Sequence, residues 1–176
     1  AGFTHWAKLN NLKQAAKTMN FLTEHGIGSY GELESKLAAV SARRDIAHAE
    51  IKRIESRSAE LTLVMKHAGT YRQLKPLYDR YRKSNDKEKF LRGHESEIIL
   101  FEAAARELKR LGAVPLPTTE SMKTELANLN AEKERLLAEY KAARTEAQEY
   151  DTVKQNVDAL LTVPKEQEQQ RRHELE

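Results

Sequence analysis

The sequence contains no cysteine. That excludes a disulfide framework and thiolate zinc sites, and it agrees with a reducing compartment. Proline and glycine are scarce, at four and seven residues, too few for an all-β fold with many tight turns. Aromatics make up only 6%, which suits a thin apolar seam better than a thick core. No apolar run approaches the roughly 20 residues of a membrane helix, and no signal-peptide pattern is present, so no membrane insertion is expected. There is no glycine-rich phosphate loop, and no Ser-His-Asp or Cys-His arrangement can be drawn. The six histidines are His5, His25, His48, His67, His94 and His173. No two are spaced as ligands on one helix, so they read as ordinary helix-surface side chains, and no metal or cofactor is expected.

What the chain does have is charge and period. Charged residues are 32%, with a net charge of +3 and a pI near 9.0. Two heptad runs alternate steps of four and three without a slip. The first is Leu33, Leu37, Val40, Arg44, Ala47, Ile51, Ile54, Ser58, Leu61, Met65, Ala68. The second is Met122, Leu126, Leu129, Lys133, Leu136, Tyr140, Ala143, Ala147, Tyr150, Lys154, Val157, Leu161. Such spacing keeps one narrow seam on one side of a helix, and two seams can bury each other. The fold class expected is therefore all-α: an elongated antiparallel coiled-coil hairpin of two long helices, with a short helical cap at the tip and an N-terminal helix packed at the base.

Punctuation divides the chain further. Residues 1–28 form an N-terminal helix, capped by Thr4, with an apolar face of Trp6, Leu9, Leu12, Ala16 and Met19 widened by Phe21 and Leu22. Gly26-Ile27-Gly28 ends it, and it should fold back on the helix that follows. Residues 29–84 form the first long helix, opened by Ser29 with Glu32 at capping-box spacing and kinked near Pro76. Residues 85–118 hold tip helices, bent near Gly93-His94, and a proline-containing linker. Residues 119–162 form the second long helix, capped by Thr118 or Thr119. Residues 163–176 read as a disordered tail, its Leu175-Glu176 as a cloning remnant, and the whole as a piece of a longer protein.

One segment concentrates positive charge. Residues 66–92 carry nine Lys or Arg against three Asp or Glu, a net +6. The candidate DNA contacts are Arg72, Lys75, Arg80, Arg82, Lys83, Lys87, Lys89 and Arg92, since basic side chains among aromatics suit phosphate contact and base stacking. The plainer reading makes Tyr71, Leu74, Tyr78 and Tyr81 a continuation of the apolar seam, with a solvated basic face behind. Arg44, Lys133 and Lys154 occupy seam positions, where long cations set register. Ala143 and Ala147, placed opposite Ser58, should make a narrow layer.

The wording of the sequence adds a resemblance. The phrases HWAKLNNLKQAAKTMNFLTEHGIGSYGELESK (residues 5–36), YRKSNDKEKFLRGHESEIILFEAAARELKRLG (81–112), LPTTESMKTELANLNAEKERLLAEY (116–140) and TVKQNVDALL (152–161) resemble the helical region that follows the nuclease domain in relaxase/mobilisation nucleases of conjugative elements. Members of that family nick one DNA strand at a transfer origin, using a tyrosine nucleophile and a histidine-held metal. The metal-binding histidine motif and the N-terminal nucleophile segment have no match here, so no catalytic residue is carried over. The resemblance implies a non-catalytic module in the bacterial cytoplasm, serving plasmid or mobile-element transfer through DNA or through coupling and accessory proteins. A structural coiled-coil scaffold or oligomerisation domain unrelated to DNA is the alternative, and an enzyme in its own right is not expected.

Overall fold

The computed structural model describes residues 2–173, with side chains for 10–162. Among the described residues there are four helices and no strand: α1 (Gly2–Glu24), α2 (Tyr30–Lys83), α3 (Lys87–Arg110) and α4 (Thr119–His173). The fold is all-α. No described helix is long and apolar enough to cross a membrane.

Local chemistry sets the helix ends. After α1, Ile27 N–H donates to Leu22 O and Gly26 N–H to Thr23 O, with Gly26 at φ 61°. This is a Schellman cap, and its apolar partners Ile27 and Leu22 join one core cluster. The same device closes α3. Ala113 N–H donates to Leu108 O and Gly112 N–H to Lys109 O, with Gly112 at φ 68°, and Ala113 and Leu108 are both buried. Ser29 Oγ accepts from Glu32 N–H, and the Glu32 carboxylate takes the Gly28 N–H. Asp86 caps α3 through Lys89 N–H, and Thr118 caps α4 through Ser121 N–H.

The chain divides into two compact units, Ala1–His48 with Leu137–Glu176, and Ala49–Leu136. In the first, α1, α2 and α4 share a core of Ile27, Leu33, Val40, Ala147, Tyr150 and Val153. Tyr30 Oη donates to Asp158 Oδ1 at 2.6 Å, and Arg43 pairs with Glu146, so α2 and α4 run antiparallel here. α1 meets Asn156 through Thr18 at 3.2 Å and Tyr150 through Phe21 and His25. It therefore advances opposite to α4, instead of folding back along α2 as expected. Its packing face is only part of the expected one: Phe21 and Leu22, expected to widen that face, pack on the core cluster, while the rest differs. Leu12 and Met19 are 68% and 58% exposed, while Thr18 is buried and Phe21 and Leu22 half-buried. The aromatic cluster on Tyr150 and the Thr18–Asn156 hydrogen bond select this side. Trp6 and Leu9 have side chains outside the described residues, and α1 starts at Gly2, ahead of Thr4.

In the second unit, α2, α3 and α4 share Leu61, Val64, Ala68, Leu108, Ala113 and Met122. Arg57 Nε bonds Glu125 Oε1 at 2.7 Å and Lys133 Nζ lies 2.9 Å from Glu55 Oε1, again an antiparallel order. α3 is no short cap across a tip. It returns along α2, with Tyr81 beside Phe90, Tyr78 stacked on Phe101 at 4.1 Å, and Leu108 in the cluster of Leu61 and Val64. α3 is interrupted at His94 (φ −141°, ψ 24°), the expected bend. There His94 Nδ1 is buried without a hydrogen-bond partner, 3.5 Å from Glu97 Oε1, a contact that lacks hydrogen-bond geometry.

α2 continues through Pro76 to Lys83, held on both sides by Tyr71 and Tyr78 stacked on Phe101. Two further expectations need correction. Leu161 is 59% exposed, because α2 begins at Tyr30, opposite Asp158, and offers α4 no partner beyond. The backbone of α4 is helical to His173, past Thr162 and through the stretch read as a disordered tail, where Glu, Gln and Arg are good helix formers; residues 174–176 lie outside the described residues. Ala147 lines a groove with Leu37 and Ser41; Ala143 and Ala147 belong to the unit of residues 1–48 and 137–176, and Ser58 to the other.

Candidate nucleic-acid interface

All eight candidate DNA contacts fall in the Ala49–Leu136 unit, and all are exposed. Arg72, Lys75, Arg80, Arg82 and Lys83 lie on the last turns of α2, and Lys87, Lys89 and Arg92 on the first turns of α3. The short turn between these helices is tied by Ser84, whose Oγ donates to Asp86 O at 3.0 Å and lies 3.3 Å from Asp86 N. The ring contact Tyr81–Phe90 at 6.1 Å joins the two helix ends, and Phe90 lies 4.8 Å from His94 within α3.

Two of the eight are engaged internally. Arg72 donates to Thr119 Oγ1 and Pro117 O, bracing the linker before α4, and Lys75 pairs with Asp79 at 3.0 Å. The other six have no ion-pair partner among the described residues. Arg80, Arg82 and Lys83 suit the negative end of the α2 dipole. Lys87 and Lys89 do not suit the positive end of α3, where only Asp86 and Glu88 have the favourable sign. Their charge has no explanation within the helix and is presented to solvent.

The tyrosines belong to the plainer reading. Tyr71 and Tyr78 stack on Phe101 at 4.8 and 4.1 Å, and Tyr71, Tyr78 and Tyr81 are half-buried. Burial, and then the nearby Glu102 carboxylate, push the Tyr78 hydroxyl above its ordinary pKa, so it stays a neutral donor. What the corner can do chemically is bind anions at the surface. Among the described residues no three His, Cys, Asp or Glu converge on a metal position. His25 stacks on Phe21 and His48 lies against Tyr140; the side chains of His5 and His173 lie outside the described residues.

Sequence reasoning located the basic segment from its charge alone. It missed Asp86 as the α3 cap, and it missed the internal engagement of Arg72. The linker that Arg72 holds follows about 45 residues later, a separation that no helical period bridges. No family model matches the chain, and no curated protein or solved structure matches it.

Proposed function

We propose that this chain is a non-catalytic helical module of a DNA relaxase, serving conjugative transfer by contacting transfer proteins along its paired helices and DNA at the α2–α3 corner. The observation that carries the DNA contact is the set of six unpartnered cations, Arg80, Arg82, Lys83, Lys87, Lys89 and Arg92, flanking one short turn. The relaxase assignment is supported by the phrases of residues 5–36, 81–112, 116–140 and 152–161. In this reading, nicking belongs to a catalytic domain of the parent protein. The finer architecture proposed with it is an antiparallel coiled-coil hairpin of α2 and α4, supported within each unit by the order of their cross-helix pairs.

Fluorescence anisotropy with a labelled single-stranded oligonucleotide tests the DNA contact. Affinity falls steeply with salt, because each neutralised phosphate releases counterion. Arg80→Ala, Arg82→Ala, Lys83→Ala and Lys87→Ala combined lower the salt slope by about 3, at about 0.7 per contact on single strands. Binding with unchanged slope in that variant contradicts the reading. A scaffold unrelated to DNA is favoured by one observation, the exposure of Leu12 and Met19 on α1. Concentration-dependent self-association without DNA affinity would select it.

A further inference from the structure

Three cations interrupt the paired seams, and two are answered by acid on the opposite helix. Lys133 Nζ lies 2.9 Å from Glu55 Oε1, and Lys154 Nζ 3.9 Å from Glu34 Oε1. The register of the Ala1–His48/Leu137–Glu176 unit gives the position facing the third. Ten residues forward along α2 from Glu34 stands Arg44, and ten back along α4 from Lys154 stands Arg144. His48 and Tyr140, with ring centroids 5.6 Å apart, fall on the same register. Arg44 thus faces a second arginine where the other seam cations face glutamate.

Among the described residues, no ion pair across the helices compensates this juxtaposition. Arg44 reaches the neighbouring Asp45 at 2.8 Å, a pair whose Asp45 side chain is 66% exposed and which contributes little. Arg144 has no ion pair among the described residues. Both arginines line an open groove of about 540 Å³ between α2 and α4. Ser41, Tyr140 and Gln148 supply hydrogen-bonding groups to it, and Leu37 and Ala147 an apolar lining. Asp151 also lines it, with its carboxylate accepting from Gln155 Nε2 at 2.8 Å.

We infer that this groove is an anion site that takes a phosphate group, held between Arg44 and Arg144. Facing like charges repel, and an oxyanion between them turns the repulsion into two attractions. The guanidinium fork matches the tetrahedral oxygens of phosphate and can bind them in bidentate fashion. The groove is larger than one phosphate, so the group can arrive free or as the phosphodiester of a nucleic acid strand. The site lies in a different unit from the α2–α3 corner and does not depend on it.

Two probes separate those sources. The first is inorganic phosphate, read by thermal unfolding of the full chain against chloride at equal ionic strength. The second is a short single-stranded oligonucleotide, read by anisotropy on the chain already carrying alanine at all six corner cations (Arg80→Ala, Arg82→Ala, Lys83→Ala, Lys87→Ala, Lys89→Ala and Arg92→Ala), so that they do not contribute. A phosphate-specific rise in Tm, oligonucleotide binding, or both, is expected. Arg144→Gln weakens whichever response is seen by about tenfold, as for loss of one charge-assisted bond, whereas Arg53→Gln leaves it unchanged. Without either probe, Arg144→Gln melts no lower than the parent, which shows that the variant folds. No response to either probe, or a response undiminished in Arg144→Gln, overturns the inference.

Discussion

Lys133 and Lys154 show what a cation does in a helical seam. Lys133 binds Glu55 across the helix pair, and this bond, with a second from Lys52, holds the Glu55 carboxyl below its usual value. Lys154 lies over the Tyr30 ring at 5.2 Å. Hydrogen bonding to Tyr30 and then Asp158 raises its pKa, while Tyr30 and Lys154 lower that of Asp158. A carboxylate with a depressed folded-state pKa contributes stability that is complete above its unfolded value and is lost as pH falls through the folded one. Denaturant midpoints should therefore stay level down to about pH 4.5 and decline below it. Lys133→Met should flatten part of that decline, as followed by helical circular dichroism in urea. An equal acid response in Lys133→Met would remove the role assigned to this pair. The sequence marked all three seam cations as register devices. It did not reveal their partners, because those depend on a register that only the packed helices define.

At the scale of elements, the Gly26 cap was legible and the packing faces only partly so. Gly26 and Gly112 both take positive φ, where a Cβ meets the carbonyl oxygen that follows. Gly26→Ala and Gly112→Ala should each cost about 1–2 kcal/mol, measured by chemical denaturation, although neither position has a neighbour within 4 Å that a Cβ would strike. A neutral result at both would mean that the caps are free to refold. The heptad stripes located most of α2 and α4, yet Val64 and Val153 are buried outside them. In each case a third helix widens the covered face: α3 brings Leu108 to Val64, and α1 brings Phe21 and Leu22 to the cluster of Val153. A two-helix period has no term for a third neighbour. For the same reason the apolar stripe of α1 misled. Leu12 and Met19 share a face by spacing, but Tyr150 and Asn156 lie on the side of Phe21 and Thr18.

For the whole molecule, period and composition sufficed for the all-α class, and capping residues for most of the element order. The division into two units was not legible. It falls between His48 and Ala49 in α2 and between Leu136 and Leu137 in α4, inside continuous helix with no breaker nearby. The basic segment was legible as charge, but the internal engagement of Arg72 was not, since that needs the position of Pro117 and Thr119. The central claim is that the free cations at the α2–α3 corner meet DNA. Backbone amide shift mapping of the isotope-labelled chain with a single-stranded oligonucleotide tests it most directly. The account predicts salt-sensitive perturbations at residues 80–92; a saturating complex that leaves those amides unmoved would contradict it.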